Sequence, residues 1–518
     1  VPVTFEMEAA LLGAARQNLR ATGRVDLADE PSADVAIEIA PLDLAKALAS
    51  APLAGSVPEG LAGSGRGSLS LRAQGTAADL ALDLRFDARD AELRLGDRFA
   101  KPRGGPFSLA LSGRRRAAKL EIDQGELIAG ETRLALKGTV EDFAKPRVKM
   151  RVSSALVRLA SFGAGDASDL LRDLALDTQL SFPASGPKLS ASLRSRSGSL
   201  RGVDYADLAL DARMERGRIE VSKLSLGSYD GKLEVTGSAN LRAPGAPAFD
   251  ARIDLQGASV ERLLAAEDAA APPRASGTLG AQIAVRGAGA SWEAIAPTLV
   301  GAGELQVVDG VLRGFNPAGE ALRALVGLPI LSGRKLGRLF ESHPQVFGAE
   351  DTPFERIEAR LEIAGAELVA RDVRLLAHDY DIVGKGRFLF EGRIDSSAVM
   401  AFSPELSDAV VDAEKKLRFL RSREGRVELP VVIDGTPGDI DVDPDLAYVA
   451  NSVSREALGD VVERVLVGKR AVPDATGEGA EAPPGDTGEV DPPASIKDVG
   501  RDLLRRGLGG LLKDPPKD

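Results

Sequence analysis

Residues 301–327 (GAGELQVVDGVLRGFNPAGEALRALVG), 351–386 (DTPFERIEARLEIAGAELVARDVRLLAHDYDIVGKG) and 387–395 (RFLFEGRID) decide the fold. In the first piece Leu305 and Val307 share one face of a strand, and Asp309-Gly310 between apolar runs is a hairpin signal. A second short strand follows. A helix then opens at Asn316-Pro317, a capping residue ahead of proline at the first helical position. In the second piece the alternation returns as Ile357, Ala359, Leu361 and Ile363, with Glu and Arg between. More runs of that kind follow, separated by Gly-Ala or Asp-Tyr-Asp turns.

The same period of two extends toward the N-terminus. It recurs in LALDLRFDA (80–88), FSLAL (107–111), RLALKG (133–138), RVKMRV (147–152), LALDA (208–212) and FDARIDL (249–255). One face of each run is apolar; the other carries Ser, Asp, Arg, Lys or Glu. That pattern predicts antiparallel strands with one dry and one wet face. A parallel sheet would show continuous apolar runs with long helices between them. Short helical turns end the strand runs at 41–48, 153–160 and 257–264, about 105 residues apart, which reads as a supersecondary repeat. The expected architecture is mainly β with a few helices: an elongated, repeating antiparallel β-groove, curled with one apolar face, crossed by short helices. Repeats fill 1–162, incomplete at the N-terminus, and 163–276.

Later, proline-led helices are expected at 404–422 and 446–470. Residues 471–494, rich in Pro, Gly, Asp and Glu, read as a disordered linker. Residues 495–514 form an amphipathic helix with Ile496, Val499, Leu503, Leu504, Leu508, Leu511 and Leu512 on one face, suited to a membrane surface or a partner protein.

A chain of 518 residues exceeds one compact core. Hydrophobic residues reach 44% but aromatics only 4%, so Leu, Val, Ile and Ala must build the apolar surfaces. A net charge of -11 argues against broad nucleic-acid binding. Arg114-Arg115-Arg116 reads as a solvated hairpin tip. With no cysteine there is no disulfide or thiolate site. No apolar run reaches the ~18 residues of a spanning helix. Val1, already in strand, suggests a processed or trimmed chain.

Chemistry is sparse. His343 and His378 sit beside turn residues, and two histidines without cysteine make a poor zinc site. The Asp-rich run 439–445 fails as a calcium loop, which needs Gly at its sixth position and Glu at its twelfth. Counted from Asp439, those places hold Pro444 and Ala450. Gly227 to Lys232 lacks the spacing of a phosphate loop, and Gly384-Lys-Gly386 opens no helix. No catalytic residue, metal or cofactor is expected, and the chain is read as a non-enzyme.

The order VVDGVLRGFN, helix, TPFERIEARLEIAGAEL, VRLLAHDYDIVGKGRF resembles the C-terminal module of the AsmA-like family, together with its TamB-type relatives. The resemblance is strongest over 277–445, with a helix inserted at 316–340. It implies a bridge-like lipid-transfer protein of the periplasm of double-membraned bacteria. Such a protein is held to the inner membrane by an anchor outside this chain and faces the outer membrane, whose biogenesis it supports. Phospholipid acyl chains would be its cargo, and the C-terminal helices would meet outer-membrane or envelope proteins. Groove-lining residues would be Leu82, Leu84, Phe86, Leu109, Leu111, Leu134, Leu136, Leu208, Leu210, Ile253, Leu255, Ile283, Val285, Leu361 and Ile363. A closed sandwich would choose the same residues, so open trough and packed core both stand. The alternative function is a periplasmic scaffold for outer-membrane proteins, acting through exposed strand edges.

Overall fold

The structure, a computed structural model, describes residues 2–452 apart from 13, 28–29, 51–59, 97–98, 164, 184–185, 243–245, 268–271, 390–392 and 437–438. The chain divides into two compact units, Val1–Leu255 and Gln256–Asp518. Each is mainly β, and every described strand pairing is antiparallel. The expected linker 471–494 and the 495–514 helix, with Ile496 through Leu512, lie outside the described residues.

The first unit begins with β1 (Pro2–Ala9), β2 (Leu19–Asp26), β3 (Ser32–Asp43), β4 (Leu61–Thr76) and β5 (Asp79–Asp87). A small hairpin, β6 (Ala91–Leu95) and β7 (Phe99–Lys101), leaves the ladder, with β6 pairing the first part of β4. The ladder resumes as β8 (Phe107–Arg116) pairs β5. It continues through β9 (Lys119–Ala129), β10 (Thr132–Glu141), β11 (Arg147–Arg158), β12 (Leu170–Ser181), β13 (Lys188–Leu200), β14 (Val203–Glu215), β15 (Arg218–Ser228) and β16 (Gly231–Asn240). Each of these pairs the strand before it in sequence. Tight turns allow this. Arg216 and Gly217 both take left-handed φ values, 52° and 73°, the backbone of a two-residue hairpin turn whose twist matches the flanking strands. Helix α1 (Leu44–Ala49) and a 3-10 turn (Leu159–Phe162) mark the ends of strand runs. The next strand, β17 (Ala248–Ser259), crosses the division between units and leads into α2 (Val260–Glu267).

The second unit holds β18 (Ala275–Ala288), helix α3 (Trp292–Ile295) and β19 (Val300–Leu312). A helical insertion follows, and the ladder then runs through β20 (Thr352–Ala364), β21 (Glu367–Leu376), β22 (Tyr380–Leu389), β23 (Ile394–Phe402), β24 (Glu428–Thr436) and β25 (Asp439–Pro444).

Three local expectations change here. Asp309-Gly310 is not a hairpin turn, because β19 runs straight through it and Asp309 takes φ 52° at a slip of register against β18. The left-handed tolerance of Asp serves a β-bulge instead. Asp207 and Asp372 do the same where β14 meets β15 and where β21 meets β22.

The helix expected over 316–340 is broken into α4 (Pro317–Val326), α5 (Gly333–Gly337), α6 (Leu339–Ser342) and, just beyond, α7 (Pro344–Phe347). Gly327 and Pro329 end the first, and the remainder folds back over it. The start of α4 is as read. Asn316 Oδ1 accepts the Gly319 N–H at 2.9 Å, while its amide donates to the carbonyls of Val346 and Ala349.

The helix expected over 404–422 stops early: α8 spans Pro404–Ala413 and a 3-10 turn covers Lys415–Leu420. Buried Glu414 between them is extended, and its carboxylate accepts the Ser332 N–H at 2.8 Å and the Lys416 N–H at 3.3 Å. A side chain needed to cap a neighbouring segment thus interrupts the helix. A last helix begins at residue 446 behind Asp445, whose carboxylate caps Tyr448 N–H, and is described to 452. The rest of the expected 446–470 helix lies outside the described residues.

Candidate functional site

Directly opposed residues of an antiparallel pair point to the same side of a sheet, so register assigns the faces. In the first unit the pairs Met7–Ala21, Ala21–Ile37, Ile37–Leu71, Leu71–Leu84, Leu84–Leu111 and Leu111–Gly125 form a chain of contacts. It continues as Gly125–Leu136, Leu136–Val152, Val152–Leu176, Leu176–Leu193, Leu193–Leu210, Leu210–Leu224 and Leu224–Val235. Fourteen strands contribute one central row with no polar member. From Ile37 to Val235 that row is half-buried throughout, and its Leu193 and Leu224 lean on the buried Val157, Leu171, Leu174, Tyr205 and Leu208 at one margin. Gly125 is the low point. A Cβ there would lie 2.8 Å from the side chains of both Leu111 and Leu136, which close over it.

The two long margins of this apolar face differ. Along one, the row Ile39, Leu69, Phe86 is capped. Leu44 and Ala47 of α1 and Leu93 of β6 pack on it with Leu42, Ala88 and Ala91. Further along, the 3-10 turn brings Leu159 and Phe162 onto Leu134, Val157, Leu171, Leu174, Tyr205 and Leu208. Lys101 fastens the first cap. Its ammonium is buried and donates to the carbonyls of Ala88, Arg89 and Ala91 at 2.6, 2.7 and 2.6 Å. Burial pushes this lysine below its ordinary pKa, against the opposing pull of the Asp87 and Asp90 carboxylates. In the second cap the Tyr205 and Ser195 hydroxyls meet at 2.8 Å, and burial raises the phenol's pKa.

The opposite margin has no such cap among the described residues. It is the row Val25, Ala33, Gly75, Leu80, Arg115, Leu120, Val140, Val148, Leu180, Leu189, Met214, Ile219.

The other face of the sheet is polar and ion-paired, with Arg20–Glu6 at 2.7 Å, Arg72–Asp34 at 3.1 Å, Arg151–Asp177 at 2.8 Å and Arg194–Asp211 at 2.9 Å. Hydrogen bonds from Arg194 and Ser192 hold the Asp211 carboxyl below its usual range. A concavity of about 760 Å³ lies on this polar side of β10–β15 between Lys137, Lys149, Arg151, Asp177, Asp211 and Arg213. It is the hollow of a twisted ladder between solvated charges, and its chemistry is unrelated to the apolar rows.

The expected lining residues fall into several environments. Leu84, Leu111, Leu136 and Leu210 stand in the central row, Phe86, Leu109 and Leu134 on its capped side, and Leu82 on its open side. Leu208 is buried in the second cap. Ile253 and Leu255 are half-buried on β17. Ile283, Val285, Leu361 and Ile363 belong to the second unit, where Val285, Leu361 and Ile363 are buried. Sequence reading missed Ile37, Leu71, Val152, Leu176, Leu193, Leu224 and Val235, which alternation alone would have supplied had each strand been extended to its hairpin partner.

In the second unit helices cover most of the apolar sheet face. Ala318, Ala321, Leu322 and Leu325 of α4, Leu336 of α5, Phe347 of α7 and Leu406 and Val410 of α8 pack on Ile382, Met400, Phe402, Leu429 and Val431. Phe347 and Phe402 meet edge to face at 6.0 Å. Burial pushes Tyr380 up to about 12. Beside this core an apolar hollow of about 280 Å³ lies on β21–β24, lined by Ala370, Val373, Gly384, Phe388, Ala398 and Ile433.

Arg114–Arg116 are not a hairpin tip. They are the last residues of β8, paired on both sides, so the strand sends Arg114 and Arg116 to the polar face and Arg115 to the apolar one. His343 Nδ1 meets the Ser342 hydroxyl at 2.9 Å, and His378 is exposed. Among the described residues no group of three or more His, Asp or Glu could hold a metal, and no helix is long and apolar enough to cross a membrane.

Residues 172–372 match the model of the AsmA family. The match runs from β12 into β21, starting well ahead of the expected 277 and stopping short of 445. Comparison with curated proteins and comparison with solved structures each gave no match.

Proposed function

We propose, with the AsmA-family region as premise, that this is an envelope lipid-transfer protein carrying phospholipid acyl chains along the apolar face of its first unit. The observation that supports this most is the central row, apolar across fourteen strands and half-buried along the twelve from β3 to β16. At about 4.8 Å per strand the row offers roughly 60 Å of continuous apolar path. Two acyl chains of about 15 methylenes each cost roughly 25 kcal/mol in water, at ~0.8 kcal/mol per methylene. A path this long removes most of that barrier, and no chemical step is needed. Head groups would stay in water along the uncapped margin. In this reading the protein works in the periplasm, between the inner membrane and the outer membrane whose biogenesis it supports.

Mass spectrometry of the purified full chain tests the reading. Phospholipid should accompany the wild type in near-stoichiometric amount. Leu136→Asp with Leu193→Asp should stay folded by circular dichroism and lose it, because unpaired carboxylates interrupt the path. Wild type that is folded and free of lipid would rule the reading out.

A scaffold role keeps support from one observation. Strand β1 joins only β2 among the described pairings, and its Val3 and Met7 are 49% and 48% exposed, so its edge could take another strand.

A further inference from the structure

We propose that Arg115 is a headgroup contact: its guanidinium binds the phosphodiester of a phospholipid whose acyl chains lie on the apolar face. This rests on the lipid-transfer reading and adds to it a fixed point for the polar end of the cargo. Within the central row and the rows flanking it from β1 to β16, Arg115 is the one charged side chain. Its cross-strand neighbours are Leu80 and Leu120. The carboxylates beside those two leucines, Asp79 and Glu121, are on the other face and already engaged: Asp79 lies 3.6 Å from Arg114 Nε and 3.5 Å from Arg116 Nε, and Glu121 4.0 Å from Lys119 Nζ. Among the described residues no hydrogen bond or ion pair reaches the Arg115 side chain.

A half-buried arginine paired across both strands with leucines, and with no partner of its own, has its donors free for an arriving anion. Its place in the sheet suits an amphiphile. Arg115 stands on the uncapped margin, where a head group can remain hydrated. Toward the middle of the face the next residue of the same strand is Gly113, opposite Leu82 on one side and Ile122 on the other. Two strands on, Gly138 opposes Ile122 in turn. The sheet is therefore low beside the guanidinium and rises to Leu111 and Leu136 beyond, which is where chains attached to a bound phosphate would lie. The planar fork of Arg fits two phosphate oxygens at once, which a lysine does not reproduce.

The test incubates the full chain with vesicles containing equal parts of phosphatidylglycerol and a diacylglycerol of identical acyl chains. Lipid retained on the re-isolated protein is then measured. Wild type should retain the phospholipid several-fold over the diacylglycerol. Arg115→Leu and Arg115→Gln should lower phospholipid retention to the diacylglycerol level and leave diacylglycerol retention unchanged. Arg115→Lys should recover part of the preference. The Leu variant extends an apolar row between Leu80 and Leu120, so its melting temperature should not fall; a residue with a purely structural role would lower melting and leave the preference intact. Equal retention by wild type, or a preference that survives Arg115→Leu and Arg115→Gln, would overturn the inference while leaving the transfer reading in place. Wild type retaining neither lipid would remove the transfer reading and the inference together.

Discussion

The two units place similar alternating strands under opposite covers. In the second, α4, α7 and α8 lie on the apolar face, and Phe347, Met400, Leu417 and Leu429 are fully buried. In the first, the described residues cap the equivalent face along one margin only, and Leu84, Leu111, Leu136 and Leu193 stay half-buried. The strands differ little in composition. The difference is what the connections carry: thirty-nine residues of helix and turn between β19 and β20, against two- to six-residue turns through much of the first ladder. Whether an apolar sheet face becomes a core or a surface is therefore decided by the loops.

The sharpest way to break that contrast is to delete matched side chains. Phe347→Ala should cost about 3–5 kcal/mol, since it opens a cavity in a closed core. Leu84→Ala should cost about 1 kcal/mol, since little apolar area returns to water. Urea titration followed by Trp292 fluorescence reports the second unit, which holds the chain's one tryptophan, and circular dichroism reports both. Equal losses would mean that the first face is covered after all.

A smaller effect sharpens the capped margin. Lys101→Met should cost about 2 kcal/mol by leaving the Ala88, Arg89 and Ala91 carbonyls without their donor, read as a lower denaturation midpoint. Smaller again, Asn316→Ala should cost about 1 kcal/mol through the lost cap of α4, with the change confined to the fluorescence-monitored transition.

The smallest effect separates the polar face from the apolar one. Asp211 is held below the ordinary carboxylate range when folded, so the unfolded chain takes up its proton first as pH falls. Its contribution is complete above the unfolded value near ~4 and is lost as pH drops through the lower folded value. Melting temperature should slope gently downward across that window. Asp211→Asn should flatten the slope without altering lipid retention.

Much of this was legible in the residues. Leu80, Leu82, Leu84 and Phe86 announce a one-sided strand, and the AsmA-family match agrees with the family read from VVDGVLRGFN and TPFERIEARLEIAGAEL. Other features were not legible. A left-handed Asp serves a turn or a bulge equally well, so Asp309 was misplaced until β18 supplied the register. Glu414 ends a helix because Ser332, eighty-two residues earlier, needs an acceptor. Arg115 looked like a loop charge because three arginines in a row hide a period of two. Only the pairing with Leu80 and Leu120 shows which of the three turns inward.

From β8 to β16 every strand finds its partner in the next stretch of chain. Contacts this local close small loops, so contact order is low and zippering proceeds hairpin by hairpin as the chain emerges. Each finished edge is the template for the following strand. Lengthening such a protein calls only for another hairpin in the gene, not for a new nucleus.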